Sequence, residues 1–137
     1  MKHHIHIPKV ENIAVAVVKE WNDEKTAEVY NVYLLNLKSN SIQNALVSSK
    51  GYGENANTGE TIKTSVLRHF IGDMEPSSFA KIEPIMEDVF GLSNEYWVSF
   101  YENGQIHDKK FIFLAESICE KNMIQVPVMN KRGVVIQ

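Results

Sequence analysis

The sequence predicts an all-β domain: an antiparallel β-sandwich of immunoglobulin-like type, with seven to nine short strands and at most one short helical turn. Three observations carry that expectation. Apolar residues recur with a period of two along most of the chain. Polar or glycine-containing turns separate the runs. No segment has the length and 3.6-residue apolar repeat of an amphipathic helix. A chain of 137 residues buries enough surface for one core without disulfides or metals, so residues 1–137 are expected to form a single β-sandwich domain.

The first strand runs over 12–21. Ile13, Val15 and Val17 share one face, and Ala14, Ala16, Val18 and Glu20 share the other. The polar segment 22–26 turns the chain into a second strand, 27–37. Apolar and aromatic residues occupy both of its faces, which places it centrally in a sheet. After Lys38-Ser39-Asn40-Ser41 a weaker strand covers 42–50. Residues 51–59 hold three glycines and two asparagines, so the strand is expected to stop there in the longest loop. Alternation resumes over 60–71. Residues 79–83 are expected to be extended, with a helical turn beginning at Pro84 and ending at Gly91. Asn103-Gly104 suits a type I′ turn, closing a hairpin over 95–114. Its register opposes Tyr101 to Ile106, Phe100 to His107, Trp97 to Lys110 and Tyr96 to Phe111. Short strands at 123–128 and 133–136 finish the chain, with Pro127 marking an edge or a bulge.

Composition excludes several chemistries. With 14 basic and 17 acidic residues the net charge is −3, which leaves no cationic excess to neutralise phosphates. Nucleic acid is therefore not expected as a partner. One cysteine, Cys119, rules out an intrachain disulfide and a thiolate zinc cluster. No apolar run reaches membrane-span length, and the first residues lack the apolar core of a signal peptide, so the expected location is cytoplasmic and off the membrane.

Few motifs point to chemistry. His4 and His6 share a strand face and offer two imidazoles to a metal, with His69 or His107 as a third ligand. Gly51-Tyr52-Gly53 lacks the Lys-Ser/Thr pair of a phosphate loop, because Gly59 precedes Glu60-Thr61. Glu83, Glu87 and Asp88 flank Pro84 and offer carboxylates to a pocket. No Gly-x-Ser-x-Gly elbow occurs. Tyr52, Trp97 and Tyr101 are the candidate ligand-binding residues, as stacking surfaces for a sugar or another small ligand.

The stretches 47–53, Leu67-Arg68-His69-Phe70 and Ile82-Glu83-Pro84-Ile85 resemble a group of short bacterial proteins of unassigned activity. Some of that group carry a phenylalanyl-tRNA synthetase alpha-subunit label. The resemblance covers most of the chain and implies no catalytic residues and no cofactor. A class II synthetase holds ATP with an Arg-x-Glu motif. Here the nearest counterpart, Arg68-His69-Phe70, has no glutamate, and the only other arginine is Arg132. The leading expectation is a non-catalytic protein-interaction module, acting on a protein partner or as a homo-oligomer. A small-ligand or carbohydrate binder is the second expectation, and a His-based metal enzyme the third.

Overall fold

The computed structural model describes residues 8–137, so His4 and His6 lie outside the described residues. The described chain is all-β, with two antiparallel sheets sharing one core. The strands are β1 (Ile13–Trp21), β2 (Glu28–Asn36), β3 (Ile42–Glu54), β4 (Thr61–Lys63), β5 (Leu67–Met74), β6 (Ser78–Ile85), β7 (Ser93–Glu102), β8 (Gln105–Phe113), β9 (Ile124–Gln125) and β10 (Arg132–Ile136). Sheet A runs β6-β2-β1-β10-β9. Sheet B runs β3-β7-β8, with β4 and β5 both paired to the other edge of β3. No helix among the described residues is long and apolar enough to cross a membrane.

Alternation explains the common core. Ile13, Val15, Val17, Val32 and Leu34 of sheet A meet Val47, Tyr96, Val98, Phe100, Phe111 and Phe113 of sheet B. Sheet A is also covered on its outer face. Ala14, Ala16, Val18 and Leu35 pack under Val126 and Met129. The two alanines leave room for that cover, and Gly133 permits the close approach of β10 to β1. A Cβ there would collide with the Val17 carbonyl. Asn36 has no exposed surface, and its amide donates to the Asn40 and Glu75 carbonyls, pinning the crossing from β2 to β3.

Four local expectations are corrected. Among the described residues there are ten strands rather than seven to nine, and two 3-10 turns, Glu87–Val89 and Glu120–Asn122, rather than at most one. β3 does not stop at Lys50 but continues to Glu54, so the turn shrinks to 55–60. The reason is close approach: a Cβ on Gly53 would meet Leu92 at 2.9 Å, and one on Gly51 would meet Thr64 at 3.2 Å. These glycines admit neighbours and do not bend the chain. The run 60–71 is divided into β4 and β5. Pro84 lies within β6 opposite Asn31, and the helical turn starts at Glu87 instead. β6 is an edge strand, where the missing N–H of proline is tolerated. The hairpin follows its expected register at all four pairs, and Asn103 and Gly104 have φ of 53° and 74°.

Candidate interaction surface and inter-sheet clefts

Period-two geometry sorts sheet B into a buried and an outer face. Strand pairing sets the outer face in rows. Phe70, Leu46, Ser99 and Asp108 make one row across β5, β3, β7 and β8. Arg68, Ser48, Trp97 and Lys110 make the next. Tyr101 pairs with Ile106 beyond them. Five of these residues are large, apolar or aromatic, and open to solvent. Their exposures are 71% for Phe70, 51% for Ile106, 43% for Trp97, 40% for Tyr101 and 38% for Leu46.

Tyr52, Trp97 and Tyr101 thus occupy one face, but they are not one site. Tyr52 pairs with Ser93, four residues before Trp97, while Tyr101 lies four residues beyond. Neighbours in this series are about 13 Å apart along the strand direction. Lys110 already stands over the Trp97 ring, with Nζ 4.6 Å from its centroid. A cleft of about 590 Å³ is lined by Tyr52, Lys63 and Glu95, but by neither Trp97 nor Tyr101.

His69 and His107 do not converge. His69 lies on β5 and His107 on β8, with β3 and β7 between them. His107 stacks on Phe100 at 5.1 Å. Among the described residues no three His, Cys, Asp or Glu side chains form a metal-binding group.

His69 instead joins a cluster that the sequence conceals. Glu83 Oε1 accepts from Ser49 Oγ at 2.6 Å and pairs with His69 Nε2 at 2.7 Å; Tyr96 donates to Oε2 at 3.4 Å. Strict alternation would turn Glu83 outward. A bulge between Val32 and Tyr33 lets both Ile82 and Glu83 face the interior. The carboxylate lies between the serine and the imidazole, so His69 has no hydrogen bond to Ser49 and a serine–histidine relay is not assembled. The cluster ties β6 of sheet A to β3, β5 and β7 of sheet B. Beside it a cleft of about 410 Å³ is lined by Glu83, Asp88, Tyr96 and Leu67. Of the three carboxylates flanking Pro84, Glu87 lines a different cleft.

That cleft, about 700 Å³, is lined by Glu20 of β1. Glu20 accepts from Asn31 at 2.7 Å and Tyr33 at 2.6 Å, and pairs with Lys131. Burial alone raises its carboxyl, but the hydrogen bonds from Lys131, Tyr33 and Asn31 and the Lys131 charge outweigh it, leaving a value below the usual 4.5. Burial, followed by the Glu20 hydrogen bond and charge, pushes the Tyr33 phenol upward. Burial and the Glu83 charge do the same to Tyr96.

These raised phenols set an alkaline limit. Above pH ~10 an unfolded tyrosine releases its proton while the native one keeps it, so stability is full below that pH and falls as pH rises. Urea midpoints measured from pH 8 to 11 are expected to fall less steeply for Tyr33→Phe and Tyr96→Phe than for the parent chain. Equal slopes would contradict the assignment.

No protein-family model matches the chain. No curated protein matches it in sequence.

Proposed function

We propose that the protein is a non-catalytic interaction module of immunoglobulin-like type, holding a protein partner against the outer face of sheet B. One observation carries this reading. Leu46, Phe70, Trp97, Tyr101 and Ile106 are adjacent or diagonal in register and exposed together. Exposed apolar area of this kind, with aromatics at its centre and charges beside it, is the make-up of a protein contact.

Strand order supports the immunoglobulin-like part. With β1, β2 and β6 as strands A, B and E, and β3, β7 and β8 as C, F and G, these six strands follow the neighbour order of such a sandwich, which favours the reading. The departures are β10 and β9, which extend sheet A beyond β1, and β5, which stands beside β3 rather than beside β6. The sugar-binding reading has less support, because Lys110 covers one side of the Trp97 ring and the aromatics are dispersed.

A photo-crosslinking residue in place of Leu46 tests the proposal in cells that make the protein. It is expected to form an adduct with a protein, whereas the same group in place of Met86 is not. Met86 is 70% exposed but follows β6 of sheet A and lines the clefts at Glu20 and Glu83, not the row of Leu46, Phe70 and Trp97 on the outer face of sheet B.

A further inference from the structure

We infer that the partner on the outer face of sheet B is a second copy of this chain, docked by a two-fold axis that crosses the strands. This rests on the interaction reading above and specifies its occupant.

The inference comes from how the two rows complement each other. An axis lying across the sheet at Val47 and Val98 exchanges the row before them with the row after them. Each residue then meets its neighbour two positions along the same strand. Asp108 meets Lys110 of the second copy, and Lys110 meets its Asp108. Phe70 meets Arg68 of the second copy, a cation over a ring. Trp97 meets Ser99, and Leu46 meets Ser48, so each large side chain faces a small one. Charge, size and ring–cation contacts are satisfied by one operation. That is the self-complementarity an isologous interface requires.

A second observation agrees. Among the described residues the ion pairs include none to Arg68, Asp108 or Lys110, although Lys19, Lys38, Lys50, Lys131 and Arg132 each have an acidic partner. Among the described residues Arg68, Asp108 and Lys110 therefore have no acid–base partner, whereas Lys50 and Glu95 of the same face pair with each other. Four strands by eight residues give a footprint of about 500 Å² per copy. That is near the lower limit for a specific interface, so the dimer is expected to be of micromolar strength.

Light scattering across roughly micromolar to millimolar concentrations, the range in which such an interface is half-formed, reads the equilibrium. Asp108→Lys and Lys110→Asp each set like charges face to face twice, and each is expected to raise the dissociation constant by about tenfold or more. Mixing the two variants puts lysines against aspartates and is expected to restore dimer mass to within about threefold of the parent constant. At concentrations below the parent's dissociation constant, melting temperatures of both variants should match the parent to within a few degrees, since these side chains are exposed. A parent chain that stays monomeric throughout, or single reversals without effect, or a mixture that fails to recover, would each overturn the inference. If the parent is monomeric while the group at position 46 captures a different protein, the second copy is wrong and the surface reading stands. If position 46 captures nothing, both fail.

Discussion

Gly133→Ala is expected to lose about 3 kcal/mol of folding stability, the upper range for overpacking a close contact. Gly133 pairs with Val18 of β1 on one side and Ile124 of β9 on the other. The added methyl would lie against the Val17 carbonyl and the Val126 side chain. Backbone cannot yield as the end of a side chain can. Either β10 moves off β1, or Val126 lifts and uncovers Ala14, Ala16 and Val18. Both outcomes expose apolar surface on sheet A while leaving the sheet B contact face unaltered. Urea denaturation followed by tryptophan fluorescence measures the loss. A change below about 1 kcal/mol, the level of an unremarkable substitution, would mean that β10 is not held as closely as described.

Phe113→Ala is expected to cost about 3–5 kcal/mol. The ring has no exposed surface and meets Tyr96 edge to face, with centroids 6.0 Å apart. Its removal leaves a cavity that the strands cannot close, because β8 is fixed to β7 by nine paired residues. Tyr96 is the neighbour best placed to lean into the gap, and doing so would draw its hydroxyl away from Glu83. The loss should therefore couple to the cluster. In a double-mutant cycle, Phe113→Ala with Tyr96→Phe is expected to cost less than the two single changes together. Strict additivity would separate the ring from the cluster.

What was legible in the sequence was local. The Asn103-Gly104 turn fixes the β7–β8 register because its two residues supply the positive φ that a tight hairpin needs. Alternation marks β1 and β2, since each is buried on both sides or lies between two strands. What was not legible depends on partners far along the chain. Glycines at 51 and 53 look like a loop until Leu92 and Thr64 are seen against them. Glu83 looks like a solvated carboxylate until a bulge turns it inward to Ser49, His69 and Tyr96, which lie on three other strands. Tyr52 reads as part of a glycine loop, yet it stands on a strand in the same face as Trp97 and Tyr101. The two complementary rows become visible only when β5, β3, β7 and β8 are placed in register.

The central claim is that a protein covers the outer face of sheet B. The adduct formed from position 46 tests it most directly. A photo-adduct of defined mass is expected from Leu46, none from Met86, and none from position 46 once Phe70→Lys and Trp97→Lys are also present. A mass of two chains identifies the second copy. Adducts from Met86 alone, or a Leu46 adduct indifferent to the two lysines, would contradict the claim.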